Sequence, residues 1–300
     1  MQIIRRYPVL SFFVLAFGLS WFFWTPYILS DHGLGLEPDI HIPEILGTGQ
    51  LVGVLPGAYL GPLGAAFLVT ALTEGRAGLR HWAHRLKHWR VGWRWFFAVL
   101  LIVPVAILLA PLALPKTWGH ITMPSAMILV AYLPMLAMQM ITTAAAEEPG
   151  WRDFALPRMQ DRFGPVLGTS LLGVLWGAWH LPLYLTEWGG PNPTWVDPTL
   201  FIIGCVPLSL VMTWVFNRSG QSVPLIMLLH AGINSTYSLV WGEVYPTLDI
   251  ARDPLYGQLI ASVIAAAGIL VATRGRLGLA ADRPAPEAAE PSYSRAGDSR

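Results

Sequence analysis

Long apolar runs alternate with short polar connectors along almost the whole chain. The runs at 8–29, 46–72, 95–114, 124–146, 166–185, 199–216, 223–241 and 255–273 are each long enough to cross a bilayer as a helix. The pattern therefore predicts an all-α polytopic membrane protein of about eight transmembrane helices. The first run follows Arg5 and Arg6 but is too long for a signal h-region. It also carries aromatics where a small-residue cleavage site should stand, so it reads as an uncleaved span. In the second run Gly47, Gly49, Gly53, Gly57, Gly61 and Gly64 make a small-residue face that lets a neighbouring helix approach closely.

The connectors carry the orientation. Residues 31–44 are polar and acidic, and 74–94 are basic and aromatic, with Arg76, Arg80, Arg85, Lys87, Arg90 and Arg94. That second stretch reads as a cytoplasmic interfacial helix lying on headgroups rather than a nucleic-acid patch. His81, His84 and His88 at i, i+3, i+7 would also suit a metal, but without an acidic or thiol partner nearby they read as interfacial. Residues 154–163 form an amphipathic connector. With the amino terminus inside, Arg5, Arg6, the six basic residues of 74–94, Arg152, Arg158, Arg162, Arg218, Arg274 and Arg276 fall on the cytoplasmic side. These are fourteen cations against two, Lys116 and Arg252, outside. Both termini are thus predicted cytoplasmic, in a multi-pass protein of the cell (plasma) membrane. The tail 274–300, rich in Ala, Pro, Ser and Glu, has too little apolar surface to order itself and reads as disordered.

Composition supports the membrane reading, since 54% of residues are apolar and only 12% charged, against about a quarter charged in soluble domains. A formal charge of +1 without a basic domain gives no case for nucleic acid. Cys205 stands alone, which excludes an internal disulfide or a Cys-based zinc site and leaves packing as its role.

The chemistry lies in polar residues that the spans should not contain. Glu147 and Glu148 arrive at the end of the fourth run, where an ionised side chain in lipid costs about 2.5–3.5 kcal/mol. They could mark the membrane edge, or Glu148 could pair with Arg152 four residues on. His180, with Trp176 one turn before it on the same face, could be a packing residue. His230 and Asn234 emerge from one face of the seventh helix and could hold a carbonyl, bind a cation or join helices. Helix glue explains any one of these residues better than it explains all six together. No nucleophile motif, phosphate loop or H-E-x-x-H is present. A carboxylate and an imidazole from different helices can take a proton from water, and a second imidazole with an amide can donate to the oxyanion that follows. That set describes an intramembrane hydrolase. A proton- or cation-coupled transporter is the rival reading, although no internal repeat or paired broken helices support it.

The order EExxxR (Glu147, Glu148, Arg152), aromatic-xxx-H (Trp176, His180) and HxxxN (His230, Asn234) resembles the CPBP family, the CAAX-protease and bacteriocin-processing (Abi) membrane proteins. The match covers a core of about 61–241, including GPLGAA, RVGWRWFF, EEPGWRDFALPRMQDRFGP and VPLIMLLHAGINST. The resemblance implies an eight-helix protease domain over 1–273 with a buried polar site, acting on a membrane-associated polypeptide. By matched position, Glu147 and His180 would activate water, His230 and Asn234 would form the oxyanion hole, and Glu148 and Arg152 would orient the site. The resemblance leaves the metal open, since some members are described as metalloproteases and others as metal-free glutamate proteases; were zinc present, Glu147, His180 and His230 would hold it. An inactive immunity or scaffold member is a third reading. Trp176 stands where Phe is common, which reads as harmless stacking, and Asp153 where Gly is usual, which puts a charge beside the site.

Depth poses a strain. A fifth helix starting at Pro165 puts His180 about 22 Å along its axis, whereas a seventh starting at Val223 puts His230 about 10 Å along. The expectation is a later start for the fifth helix near Leu171, with 160–170 interfacial or re-entrant, and a bend or interruption of the fourth at Pro149 and Gly150.

Overall fold

The computed structural model describes residues 2–279 apart from 38, 120, 250 and 251. Eight helices long and apolar enough to cross a membrane follow one another: α1 (Pro8–Leu29), α2 (Gln50–Thr73), α3 (Trp93–Ala113), α4 (Ala126–Phe163), α5 (Pro165–Leu185), α6 (Val196–Arg218), α7 (Val223–Val244) and α8 (Asp253–Thr273). The chain is a multi-pass, all-helical membrane protein, and among the described residues the only β pairing is an isolated bridge between Ile45 and Thr48. The bundle has a clear centre. Two thirds of the most apolar stretch of α7 is buried, against 17% in α3 and α8, so α7 is the most enclosed of the eight.

Local chemistry sets several helix ends. Pro8 occupies the first turn of α1, where its missing N–H costs nothing. Ser125 caps α4 by accepting from the Ile128 N–H, and Ser222 caps α7 by accepting from Leu225. Gly164, at φ +80°, makes the turn between α4 and α5 that an L side chain resists.

The glycine face of α2 works as expected at three positions. A Cβ at Gly53 would lie 2.3 Å from the Tyr27 ring, one at Gly57 2.3 Å from Trp24 Nε1, and one at Gly61 1.8 Å from Ser20 Oγ. Two bonds seal that contact: Ser20 donates to Gly57 O at 2.8 Å and Trp24 Nε1 to Val54 O at 2.8 Å. Gly47 and Gly64 are not part of it.

Alternate connectors meet at two ends. At the basic end Arg5 donates to Leu72 O at 3.1 Å, Arg158 pairs with Glu74, and Ser222 donates to His88 O. At the opposite end Thr48 donates to Glu187 at 2.7 Å, the Glu187 N–H to His32 O at 2.9 Å, and Arg252 to Asp197 at 2.7 Å.

Four expectations need correction. The fourth helix does not stop at 146, and 154–163 is no separate connector: helix continues to Phe163, because Pro149 and Gly150 sit in a seven-residue π turn, Pro149–Ala155. A wider turn accommodates the proline ring without breaking the rod. The fifth helix does start at Pro165, earlier than Leu171, and runs unbroken to Trp179, while Asp161, Arg162, Phe163 and Leu167 around that start are exposed. The basic stretch does form a helix, Gly75–Arg85, but it docks on α4 rather than only on headgroups. Trp82 is buried and donates to Pro149 O at 3.2 Å, and Arg85 pairs with Asp153. Finally, 274–279 is ordered: Leu277 is buried and its carbonyl accepts from Asn217 at 2.9 Å. Residues 280–300 of the expected disordered tail lie outside the described residues.

Candidate active site

Adjacent residues on a helix point about 100° apart, so Glu147 and Glu148 cannot share one environment. A second π turn, Met140–Ala144, precedes them and sets their phase. Gly150 lets this part of α4 approach α2, since a Cβ there would sit 2.5 Å from Pro62 O.

Glu147 faces a cavity of about 560 Å³ whose lining also includes Trp176, His180, His230 and Asn234. Glu148 turns the other way, into the protein, and is fully buried. Its Oε1 accepts from His230 Nδ1 at 2.7 Å, and its Oε2 lies 3.6 Å from Arg152 Nε, an ionic contact too long for a hydrogen bond. Arg152 is also fully buried, within reach of Met212 sulfur at 3.1 Å and Ser209 Oγ at 3.5 Å.

Trp176 is the hub of the group. Its Nε1 donates to Glu147 Oε2 at 2.7 Å, and its carbonyl accepts from His180 Nδ1 at 2.9 Å. The Arg152 guanidinium carbon lies 4.4 Å from its ring centroid, and the two imidazoles stand edge-on at 6.1 Å (His180) and 5.4 Å (His230). The reading of Trp176 as stacking alone was therefore incomplete. An indole nitrogen only donates, so at this position tryptophan tethers the carboxylate in a way phenylalanine cannot.

The His180 bond fixes a tautomer. A carbonyl accepts and never donates, so Nδ1 carries the proton and the neutral ring offers its lone pair at Nε2. Trp179, Trp188 and Phe201 box the imidazole, with Trp188 stacked on it at 5.4 Å and 19°. Trp188 belongs to the connector after α5 and was missed in the sequence, where it reads as a loop residue. Thr186, whose hydroxyl accepts from the Trp188 N–H, holds that loop in shape.

All six predicted residues thus come to one locality, four on the cavity wall and two, Glu148 and Arg152, behind it. Asp153 does not face the cavity. Its carboxylate is buried against Arg85 of the Gly75–Arg85 helix, so the expected charge beside the site is neutralised away from it. Zinc does not suit the arrangement. Among the described residues no three His, Cys, Asp or Glu side chains gather as ligands, and Trp176 already holds Glu147 and abuts both His180 and His230.

Comparison with known proteins agrees with this locality. The family model described as type II CAAX prenyl endopeptidase Rce1-like matches residues 128–236. A CAAX prenyl protease 2 of Methanococcus maripaludis is 26% identical over 121 residues, covering 36% of this chain and 41% of that protein. The shared part is under half of either chain, and the family match contains Glu147, Glu148, Arg152, His180, His230 and Asn234. Over that segment the chain is similar to the Rce1-like, type II CAAX prenyl endopeptidase family, which supports the resemblance to CPBP membrane proteins.

Proposed function

We propose that the chain is an intramembrane endopeptidase that hydrolyses a peptide bond of a membrane-associated polypeptide, and that residues 1–273 form its protease domain. Glu147 and His180 Nε2 would share a water and take its proton as the water attacks the carbonyl carbon. His230 and Asn234 would donate to the resulting oxyanion. For that role His230 must carry a proton on Nε2 as well as Nδ1, and the Glu148 carboxylate at 2.7 Å is placed to hold the imidazolium. Arg152 offsets the Glu148 charge from within the protein. Collapse of the tetrahedral species returns the proton to the leaving amine, leaving a new carboxylate and a new amine.

The observation that carries this reading is the shared cavity: Glu147, His180, His230 and Asn234, from three helices, line one wall. The name of the archaeal relative adds a substrate type, the prenylated CAAX protein, that concerns that protein. For this chain the proposal stops at a membrane-associated polypeptide. We also place the protein in the plasma membrane with both termini cytoplasmic; the fourteen-to-two split of cations supports that orientation. No step is routed through a metal, because the donors do not assemble a site.

The test is processing by purified protein of a polypeptide that accumulates in membranes carrying Glu147→Gln. Glu147→Gln, Glu147→Ala and His180→Ala should each lower turnover by about 100-fold or more, the worth of a positioned base, with helical content unchanged. Wild-type turnover in all three would remove the proposal.

A further inference from the structure

We infer that the cavity receives its substrate from the side of the membrane opposite the termini, so that the cleaved bond lies in an extracytoplasmic stretch of a membrane-anchored polypeptide. The inference rests on the peptidase reading for the word substrate, and on independent observations for the side.

The cavity wall draws on connectors of one end only. Ile45, Leu46 and Thr48 come from the segment between α1 and α2, and Trp188 from that between α5 and α6. A second cavity of about 560 Å³ shares Trp188, Phe201, Asn234, Tyr237 and Gln258 with the first and continues past Asn192 to Asp197 and Arg252. Both volumes thus lead toward the end tied by the Thr48–Glu187 and Asp197–Arg252 contacts. Among the described residues neither cavity is lined by the connectors of the basic end, 74–92 and 219–222. That end is filled instead: Trp151, Phe154 and Phe216 are fully buried there, Trp82 nearly so, and the Arg85–Asp153 pair fastens the Gly75–Arg85 helix beneath them.

Charge says which end is which. Thirteen Lys and Arg residues of the first 276 lie at the filled end or on its connectors and two, Lys116 and Arg252, at the open one, while Arg152 is buried behind the cavity. Cations are retained on the cytoplasmic side during insertion, so the open end faces away from the cytoplasm. The first cavity also reaches the gap between α2 and α4, through the half-buried Leu51, Leu55, Met135 and Met138. A substrate anchored in the bilayer could enter sideways there, which a fully aqueous peptide has no need to do.

The experiment measures sidedness without turnover. In the full chain, Cys205→Ala removes the native thiol, and single cysteines are placed at Gln50 and Ser238 on the cavity wall and at Arg80 on the basic connector. Cells expressing each variant are treated with a membrane-impermeant maleimide, before and after permeabilisation. Gln50→Cys and Ser238→Cys should label in intact cells, whereas Arg80→Cys should label only once the membrane is opened. Label on Arg80→Cys in intact cells, or loss of label on both cavity cysteines until permeabilisation, overturns the inference. Either result would leave the peptidase reading standing and move its substrate to the cytoplasm. Failure of the Glu147 and His180 variants to lower turnover would remove the peptidase and leave the labelling pattern unaffected.

Discussion

Glu148→Gln should destabilise the bundle far more than its size suggests. The substitution keeps shape and retains an oxygen to accept from His230, but it removes the charge facing Arg152. That guanidinium is fully buried, and its Nε lies 3.6 Å from the carboxylate. At an effective dielectric of about 20, two unit charges at that separation attract by roughly 4–5 kcal/mol. The other contacts of Arg152, a hydroxyl at 3.5 Å, a thioether sulfur and the Trp176 ring face at 4.4 Å, carry no negative charge. Glu148→Gln should therefore cost about 3–5 kcal/mol, as breaking a buried pair does. Arg152→Met added to it removes the stranded cation and should recover part of that loss, although the His230 environment stays altered. The assay is unfolding in mixed detergent micelles, followed by tryptophan fluorescence, over the four members of the cycle. A coupling energy above roughly 2 kcal/mol is expected, and additivity within about 0.5 kcal/mol would refute the account, since groups that do not interact simply add.

Trp176→Phe keeps a ring between the two histidines but deletes the bond to Glu147. A hydrogen bond to a charged group is worth about 1.5–3 kcal/mol, or roughly 10- to 100-fold in turnover. Water in the cavity can replace part of it, so the lower end is expected in a steady-state rate, with unfolding unchanged. Arg85→Ala strands the buried Asp153 carboxylate and should cost toward the lower end of about 3–5 kcal/mol, with faster proteolytic nicking of the Gly75–Arg85 helix. Glu187 lies outside the spans. Burial alone would raise its pKa, but bonds from Thr48, His32 and Tyr27 prevail and hold it below the usual 4.5. Its contribution is complete above that value and lost as pH falls through the depressed one. The loop carrying Trp188 should thus loosen in acid below pH 4.5, seen as a change in quenching at Trp188 that is absent in Glu187→Gln.

The spans were legible because twenty apolar residues in a row report the solvent directly, and α1 spans the residues read from the sequence, Pro8–Leu29. The six site residues were legible for the converse reason: polar groups inside such runs need a cause. What escaped is long-range. The Trp176–Glu147 bond joins residues 29 apart, Arg85–Asp153 joins residues 68 apart, and nothing local marks either pair. Proline misled in a different way. A proline and glycine inside a helix predict a break, yet the π turn at Pro149–Ala155 absorbs both and carries helix to Phe163. Leu277 was lost to composition: a polar tail hid an apolar residue that packs back on α6 and α8.

The strain in depth also resolves differently from expectation. With α5 unbroken from Pro165, His180 stays about 22 Å along its helix and His230 about 10 Å along α7. Moving a helix start was one way to bring them together; the structure instead places an indole where their levels diverge. A long side chain on a helix leans toward the preceding turn, so Trp176, one turn before His180, reaches back toward the level of His230. Its ring touches both imidazoles while its nitrogen fixes Glu147 and its face meets Arg152. In the proposed mechanism the two histidines need not meet, because His180 would serve the attacking water and His230 the oxygen of the carbonyl under attack. A tryptophan that spaces them and orients the carboxylate is what lets two helices of mismatched depth build one site.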